Sequence, residues 1–346
     1  MLDVPFGAQG FNQKVRVPKP GKDFMTVWEE WRSIQRGCMP SETLEFAGDK
    51  LITDGRALGQ YVHIDVLFQA YFNACLILLA GSDQPTPVLV SGMPGGPGLG
   101  LLFQYADEGN PYKTSANQEG FGTLGGPYYI TTLCEAATRA LKAVWFQKWN
   151  VHRRLRPEAY GGRVHRTKLE AANPGSGATY PVHTQVLDSD AVNVIKDGAQ
   201  DSGGNDLYKG TGAYLLPQAF TEGSPTHPAY GAGHATVAGA CVTILKALFD
   251  EAFEIKNPKQ AKADGSGLED YVAPAGEAKL TLGGELNKLA SNVATGRNIG
   301  GVHWRTDGAR SLELGEQIAI SILSDHKLMF NETVDWHLTR LTGSKW

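Results

Sequence analysis

The sequence has few cysteines, little net charge and no surplus of basic residues. Its four cysteines are widely spaced in 346 residues, and Cys75, Cys134 and Cys241 fall inside apolar helical patterns. We therefore expect buried free thiols, and neither a disulfide framework nor a zinc site. The formal net charge of −4 argues against a nucleic-acid-binding protein, because such proteins usually carry a basic excess.

Long hydrophobic runs are also missing. The longest apolar segments, such as CLILLA at 75–80, are far shorter than the about 20 residues that a membrane-spanning helix needs. The first 25 residues contain several basic side chains and no apolar core, so they predict no signal peptide. Strand patterns are few, and PVLVSG at 87–92 is the best of them. The sequence shows no internal repeat and no low-complexity tract.

Helical periodicity is what the sequence has in abundance. Apolar residues recur at three-and-four spacing in five segments, which predict helices: from the cap Asp54 through Leu78, about Tyr129 to Arg154, Gly233 through Leu248, Glu277 to Asn298, and Thr306 to Leu328. Gly/Pro-rich stretches at 83–128 and 156–230 separate them and predict binding or lid loops. We therefore predict an all-α fold, a helical bundle with long Gly/Pro-rich loops, rather than an α/β fold.

A cationic segment, KWNVHRRLRP at 148–157, closes the second predicted helix. Lys148 and Arg156 are eight positions apart, and Pro157 is expected to stop the helix at Arg156. One interpretation is a solvated helix end whose cations complement the macrodipole. The other is a binding site for a tetrahedral oxyanion, since Arg supplies forked donors and Lys a point charge.

A glycine turn, HPAYGAGHA at 227–235, precedes the third predicted helix. It brings backbone N–H groups and His234 to a helix N-terminus, where glycines let the backbone approach an anion and the dipole favours negative charge. The alternative is that Gly231 and Gly233 are only turn residues and that His234 is a weak cap.

A third segment, GRNIGGVHWRTDGAR at 296–310, contains Arg297, then His303, then Asp307. The four-residue spacing at a helix start lets Asp307 accept a hydrogen bond from one ring nitrogen of His303. The other nitrogen is then left as a nucleophile or metal ligand, and Arg297 would direct a guanidinium at the same anion. A surface His–Asp pair is the alternative.

Together, the three segments in this order resemble the signature shared by vanadium-dependent haloperoxidases and the phosphatidic-acid-phosphatase superfamily. Four sequence segments are most similar to the bromoperoxidases of algae and cyanobacteria: ITDGRALGQYVHIDVLFQAYFNA (52–74), KAVWFQKWNVHRRLRPEAYGG (142–162), SPTHPAYGAGHA (224–235) and ATGRNIGGVHWRTDG (294–308). The resemblance covers about residues 1 to 340. It implies one haloperoxidase-like domain over 1–346, with the active-site core at about 50–330. Since family members are usually longer, the chain looks like their active-site half.

The resemblance implies vanadate as cofactor and assigns the site residues. Nε2 of His303 would bond vanadium, and Lys148, Arg156, Arg297 and the Gly233 N–H would donate to the oxygens. His234 would be the acid–base group that takes a proton from hydrogen peroxide, and Lys148 would help to polarise the oxidant. Asp307 would support His303 from behind. Where family members carry a serine, this chain has Ala232, which removes one hydroxyl donor.

The resemblance also bears on substrates and partners. The position of His227 is histidine in bromoperoxidases and phenylalanine in chloroperoxidases, so we expect oxidation of bromide and iodide and halogenation of a small organic acceptor. Trp145 falls where algal relatives line the halide approach, although plain helix packing is an alternative. A homo-oligomer is expected, with neither nucleic acid nor membrane as partner. Red-algal relatives carry a structural calcium, which makes calcium a second candidate cofactor.

Two other functions compete with this one. An acid phosphatase of the same superfamily would use His303 as a phosphohistidine nucleophile and His234 to protonate the leaving group. A non-catalytic oxyanion-binding or assembly protein would account for Ala232 and the shorter chain. The presence of the six other site groups weakens that last alternative.

Overall fold

Helices form most of the regular structure in the computed structural model, which describes residues 2–80, 105–115, 117–118 and 120–346. They are α1 (Trp28–Gln35), α2 (Gly55–Ile64), α3 (Gln69–Ala80), α4 (Gly126–Phe146), α5 (Pro157–Ala172), α6 (Thr184–Leu187), α7 (Asp190–Asp197), α8 (Gly233–Leu248), α9 (Leu282–Ile299) and α10 (Arg305–Lys327). A π-helical turn, Gln147–His152, continues α4. The all-α prediction is confirmed.

Strands are short and pair only in twos within the described ranges. The four antiparallel pairs are β1 (Asp3–Phe6) with β2 (Gln9–Asn12), β3 (Val15–Pro18) with β4 (Phe46–Lys50), β5 (Ala199–Gln200) with β6 (Asp206–Tyr208), and β7 (Lys259–Ala261) with β8 (Leu268–Asp270). The predicted strand at 87–92 lies outside the described residues. These hairpins decorate the helical body and add no sheet to its core.

Helix α8 is the centre of the fold. Every residue from Ala235 to Leu248 is buried, as expected of a helix that is apolar on all sides. It packs against α10 most extensively, then against α4 and α9. The crossing with α10 is close because each helix presents a glycine: a Cβ on Gly239 would lie 2.1 Å from the Leu312 carbonyl oxygen, and one on Gly315 would lie 2.0 Å from that of Thr236.

The third, fourth and fifth predicted helices are present as α8, α9 and α10. Helix α9 begins at Leu282, five residues later than predicted, because Thr281 caps it: the Thr281 hydroxyl accepts the N–H of Gly284 at 3.2 Å. The segment before it lies in an irregular connection.

The first predicted helix, from Asp54 to Leu78, is wrong as a single element. The Asp54 cap is present and accepts the Ala57 N–H at 2.8 Å, but α2 ends at Ile64 and α3 starts at Gln69, with a bend of 97° between them. Apolar periodicity continues across the break, so the pattern did not reveal it. Asp65, in extended backbone, ends α2.

The second predicted helix, Tyr129 to Arg154, is also corrected. Helix α4 and its π-helical turn end at His152, and Arg153 follows in the left-handed region with φ of 41°. Lys148 and Arg156 therefore do not share one helix. Pro157 is the first residue of α5 rather than the residue that stops a helix, and this N-terminal position suits proline because its missing N–H would be unpaired there anyway.

The predicted loop at 156–230 contains α5, α6 and α7, so that prediction is wrong over those three segments. Helix α5 carries two consecutive glycines, which made it look like a loop. They have a packing reason: a Cβ on Gly162 would lie 2.2 Å from the Trp31 ring of α1, and one on Gly161 would lie 2.9 Å from the Leu216 backbone N.

The expectation of buried free cysteines is met only in part, and so is the expectation that no apolar segment could span a membrane. All four cysteines are free, with Cys75 and Cys241 buried, Cys134 half-buried and Cys38 exposed. Across the described ranges, no single helix combines the length and apolarity that a bilayer crossing requires, and only α2 and α3 taken together, across their bend, meet that measure.

Candidate active site

Three cationic side chains from two distant parts of the sequence are buried at the N-terminal end of α8. Lys148 comes from the π-helical turn, Arg156 precedes α5, and Arg297 lies in the last turn of α9. They are 1 %, 6 % and 4 % exposed, respectively. The three predicted anion-binding cations are thus brought together by the fold.

Burial and mutual repulsion make these cations costly to hold in charged form. Burial lowers the pKa of Lys148 to about 7, and the charges of Arg156 and Arg297 add to the effect. Burial likewise lowers the pKa of Arg156 to about 10, with a contribution from Arg297, and that of Arg297 to about 10. Such shifts are typical of sites that bind a charged ligand.

The hydrogen bonds of Lys148 and Arg297 go to backbone carbonyls rather than to carboxylates. The Lys148 ammonium donates to the Pro228 carbonyl oxygen at 2.8 Å and to that of Ala229 at 3.4 Å. Arg297 Nη1 donates to the Val62 carbonyl oxygen at 2.7 Å. The Arg297 Nε is buried without a partner in the part of the chain that the structure describes. The Nε–H of Arg297 therefore remains available to donate a hydrogen bond to a ligand.

Arg156 holds two histidines in place. Its Nη1 lies 3.0 Å from Nε2 of His303 and its Nη2 lies 3.0 Å from Nδ1 of His227. The same guanidinium donates to the carbonyl oxygens of Val302 at 2.8 Å and His227 at 2.9 Å. Since a guanidinium can only donate, both ring nitrogens that face it must be acceptors.

His303 is therefore a neutral imidazole with a defined tautomer. Its Nδ1 lies 3.0 Å from Asp307 Oδ2 and must carry the proton, because Nε2 accepts from Arg156. Burial and the charges of Arg156, Lys148 and Arg297 hold the pKa of His303 well below its usual value. The predicted i, i+4 pair thus forms and leaves the lone pair of Nε2 directed toward the cations.

Asp307 is fully buried and anchors this arrangement from behind. Its Oδ2 also accepts the backbone N–H of Trp304 at 3.0 Å, and its Oδ1 accepts Arg154 Nη1 at 3.0 Å. Burial raises the pKa of Asp307, while the Trp304 N–H and the Arg154 charge oppose that rise. The alternative of a surface His–Asp pair is wrong, since the two side chains are 3 % and 0 % exposed.

His234, the second residue of α8, has a partner that the sequence did not reveal. Its Nε2 lies 2.8 Å from Oδ1 of Asp65, and the Asp65 side chain is only 2 % exposed. Burial lowers the pKa of His234, and the hydrogen bond to Asp65 opposes this. An acidic residue inside the apolar run HIDVLF (63–68) was the signal that could have found it.

The glycine turn enters α8 with Ala232 as the last residue in extended backbone and Gly233 as the first helical one. The Ala232 N–H donates to Ser311 Oγ at 2.8 Å, while the Gly233 N–H has no acceptor inside its own helix because it lies in the first turn. Ala232 is buried beside Ala235 and Ala294. Ser311, which the sequence analysis did not identify, therefore accepts the N–H of Ala232. The N–H of Gly233 is not bonded to it.

His227 and Trp145 lie together at the edge of the cluster. Their ring centroids are 4.8 Å apart, and Trp145 also stacks on Trp149 at 6.3 Å. Burial lowers the pKa of His227 to about 4, with help from Arg156 and Lys148, so the ring is neutral at physiological pH. A cavity of about 350 Å³, lined by Arg156, His227 and Trp149 among others, opens beside them. Trp145 thus contacts His227 and does not serve helix packing alone.

The charge balance of the cluster fits an oxyanion such as vanadate or phosphate. Three cations meet, whereas the nearby carboxylates of Asp307 and Asp65 are already bonded to Arg154, His303 and His234. Within the described ranges no group of three or more His, Cys, Asp or Glu side chains could hold a metal cation. The arrangement has the charge and the donors that suit an anion, and it places one neutral imidazole nitrogen beside them.

Comparisons with known proteins show which families and structures the chain resembles. Residues 201–332 match a family model described as the second helical-bundle domain of VCPO. The vanadium-dependent bromoperoxidase of Corallina officinalis is 39 % identical over 357 residues, which cover 99 % of this chain and 54 % of that protein. The one from Ascophyllum nodosum is 34 % identical over 329 residues, covering 94 % and 53 %.

A solved structure is similar over the same extent. The homohexameric second vanadate-dependent bromoperoxidase of Ascophyllum nodosum superposes with a TM-score of 0.80 at 29 % identity, covering 99 % of this chain and 56 % of that one. The chain spans about half the length of the curated relatives it matches. Through this similarity along nearly its entire length, the chain belongs to the vanadium-dependent haloperoxidase family.

Proposed function

We propose that this chain carries the active site of a vanadate-dependent bromoperoxidase. The enzyme would oxidise bromide or iodide with hydrogen peroxide to a hypohalous acid equivalent, which halogenates small organic acceptors. The observation that carries this proposal is the neutral His303, with its Nε2 lone pair among three buried cations. The names of the similar proteins support it.

Lys148, Arg156 and Arg297 would hold the vanadate by charge-assisted hydrogen bonds, each worth about 1.5–3 kcal/mol. The Gly233 N–H would add a neutral donor at the positive end of α8, and His303 would bond the metal through Nε2. When bound, vanadate supplies a Lewis-acidic centre at which peroxide becomes a stronger oxidant of halide. Lys148, whose pKa is about 7 without a bound anion, would become more firmly protonated beside the anion.

His234 would be the acid–base group that accepts a proton from hydrogen peroxide. Its Nε2 is held by Asp65, so Nδ1 is the nitrogen left for that transfer. The Asp65 carboxylate would stabilise the imidazolium that forms, in the way a carboxylate orients a catalytic histidine elsewhere. Asp65 is thus a positioning residue for His234.

His227 and Trp145 would shape the approach of the halide. The neutral ring of His227 is oriented by Arg156 and lies against Trp145 beside an open cavity. We expect bromide and iodide rather than chloride as substrates, because the resemblance places histidine at this position in bromoperoxidases and because chloride is the hardest of the three to oxidise. A His227→Phe variant measured with each halide tests whether this position sets the preference.

We also propose that residues 1–346 form one haloperoxidase-like domain that assembles with copies of itself. The aromatic and apolar side chains of Phe146, Trp149 and Val151 are 59 %, 47 % and 52 % exposed, and contiguous apolar surface marks interfaces. A similar protein is homohexameric. Light scattering at micromolar concentration should give a mass above that of one chain, and a monodisperse monomer would rule the assembly out.

Reconstitution tests the proposed reaction. The protein, stripped of vanadium and then incubated with orthovanadate, should gain peroxide-dependent bromination of a phenol dye, and excess phosphate should suppress the gain by competing for the same groups. His303→Ala should lose bound vanadium, measured by elemental analysis after gel filtration. His234→Ala should retain vanadium and lose turnover, while the exposed His183 provides a His183→Ala control that changes neither.

A phosphatase assay without vanadate separates the competing function. Hydrolysis of a phosphomonoester at a rate above that of bromination, lost in His303→Ala, would favour the phosphohistidine mechanism instead. Bromination that survives exhaustive vanadium removal would contradict the cofactor. Calcium stays a prediction without assigned ligands, since no acidic cluster able to bind it occurs in the described ranges.

A further inference from the structure

A second cavity, of about 630 Å³, lies between α5, α7 and the segment that leads into α5. Its walls are mainly aliphatic and aromatic and include Val164, Val192, Ile195, Leu216, Tyr214 and Trp304. A volume of about 300–1,000 Å³ with apolar walls and few polar groups is typical of small-molecule sites. The wall residues Leu155, Arg163 and Ala191 are exposed, so the cavity opens to solvent on that side.

The charged side chains that line this cavity are all positive. Arg154 and Arg163 line it, and no acidic side chain is among the described residues of its wall. Arg154 is committed to Asp307. Arg163 is exposed and forms no ion pair within the part of the chain that the structure describes; its guanidinium lies 5.8 Å from the Tyr180 ring centroid.

Further positive charge lies at the rim. The ammonium groups of Lys168 and Lys196 lie 5.5 and 5.6 Å from the ring centroid of Tyr214, which lines the cavity. Lys196 has Asp197 as a partner. An apolar volume with a cationic rim and no lining carboxylate complements a ligand that is apolar at one end and anionic at the other.

This cavity is separate from the oxyanion cluster, although only a thin wall divides them. Arg156 and Trp304 both have extended backbone, with φ/ψ of −69/150° and −84/152°, so consecutive side chains point to opposite sides. Leu155 and Trp304 line the cavity, whereas Arg156 and His303 contact each other on the side of the cluster. Arg154 and Leu155 also line the cavity of about 350 Å³ described above and so form the wall between the two cavities. The Trp304 Nε1 donates to the Leu155 carbonyl oxygen at 2.9 Å and closes the wall.

We propose that this cavity binds an apolar molecule bearing a single carboxylate, with the apolar part between α5 and α7 and the carboxylate beside Arg163. A carboxylate suits a guanidinium because two parallel N–H groups can donate to its two oxygens. The proposal does not depend on the oxyanion chemistry, since the ligand contacts none of the groups assigned to vanadate.

Calorimetry on the full chain without vanadate tests it, with 6-phenylhexanoate as the probe and 6-phenylhexan-1-ol as its uncharged analogue. The carboxylate should bind saturably, about tenfold tighter than the alcohol. Arg163→Gln should remove that preference by weakening only the carboxylate. Arg305→Gln is the matched control: Arg305 is exposed and next to Trp304, but does not line the cavity, and its loss should leave both affinities unchanged.

Ala191→Trp locates the site, because Ala191 is an exposed residue of the cavity wall and an indole there would fill the opening without disturbing the core. Binding of both probes should fall at least tenfold, with an unchanged thermal midpoint. Equal affinity of acid and alcohol, or an Arg163→Gln variant that binds like the parent, overturns the proposal. Absence of saturable binding overturns it too, including the case in which a second copy of the chain covers the cavity.

Discussion

Two fully buried lysines sit at the two ends of the same helical core, and their surroundings differ. Burial lowers the pKa of Lys148, beside the N-terminus of α8; its charged neighbours Arg156 and Arg297 lower it further, and Asp307 opposes them. Lys246, near the C-terminus of α8, has Glu251 and Glu316 as neighbours, which oppose the lowering of its pKa by burial. One lysine lies in excess positive charge and the other in a balanced network.

The network around Lys246 is structural. Its ammonium donates to Asn287 Oδ1 at 3.2 Å and to the Thr339 carbonyl oxygen at 2.5 Å, which fixes the C-terminal segment to the core. Glu251 accepts from the Thr339 hydroxyl at 2.5 Å, and Glu316 accepts the Leu341 N–H at 2.6 Å. Each carboxylate is thus used within the chain.

The comparison teaches that burial of a charge does not by itself mark a functional site. Both lysines are buried and both have a lowered pKa. What separates them is whether the chain supplies the opposite charge. Around Lys148, the Asp307 carboxylate offsets only part of the positive charge of Arg156 and Arg297, so a bound anion would supply the charge that the chain lacks.

The largest expected effect separates the two lysines by activity. Lys148→Met should lower bromination by vanadate-loaded protein roughly 100- to 1,000-fold, the cost of removing one preorganised charged donor. Lys246→Met should keep the activity of whatever fraction stays folded. Steady-state rates at saturating vanadate check this, and equal losses in both variants would erase the distinction.

The second expected effect is on stability, where Lys246→Met and not Lys148→Met should be the more damaging variant. Lys246→Met should reduce the free energy of unfolding by about 3 kcal/mol, because it removes the hydrogen bonds to Asn287 and Thr339 and the cation that interacts with the buried Glu316. Lys148→Met should leave the stability of vanadate-free protein unchanged or slightly higher, since it removes a repelled charge. Urea titration of both variants, monitored by circular dichroism, gives the comparison; a Lys148→Met protein as unstable as Lys246→Met would contradict it.

A third test adds a neutral donor to the cationic cluster. Ala232→Ser should raise vanadate affinity by about one to two powers of ten, since a hydrogen bond to a charged group is worth roughly 1.5–3 kcal/mol. The hydroxyl is small, although Ala232 is buried beside Ala235 and Ala294. Vanadate titration of both vanadium-free proteins decides it. Equal dissociation constants would mean that residue 232 does not face the anion.

The smallest effect concerns pH. Because the pKa of Lys148 in the empty site is about 7 and a bound anion favours the ammonium, anion affinity should be full below pH 7 and fall above it. The drop between pH 6 and pH 8 should be about tenfold. Sulfate, whose charge is constant over this range, is the probe, and Lys148→Met should bind it more weakly with a flat profile. A parent profile that is equally flat would sink the prediction.

The sign of the accompanying stability change is opposite. The unfolded chain, with a lysine pKa near 10.5, binds more protons than the empty folded protein between pH 7 and 10.5. The vanadate-free protein should therefore gain stability from Lys148 as pH rises through that window. Urea midpoints at pH 7 and pH 9, compared with those of Lys148→Met, measure this gain.

Local sequence determined several parts of this protein. Apolar periodicity defined α9 and α10, because their buried faces follow the helical repeat along one continuous segment. Its apolar residues identified α8 as well, although that helix is buried on every side. The spacing of His303 and Asp307 was enough to predict their hydrogen bond, since four residues on a helix start place both on one side. The cationic segment and the glycine turn likewise identified Lys148, Arg156 and His234 as candidates.

Only the tertiary structure decided what these groups do to each other. The bend after α2 brings Asp65 to His234 across 169 positions, and no periodicity records such a contact, because the apolar pattern runs through the bend unchanged. The same holds for Ser311 at the glycine turn and for the two buried lysines. Whether a buried charged side chain is available to bind an anion or instead stabilises the core depends on which distant charges lie beside it. The packing of the fold, and not the local sequence, determines those neighbours.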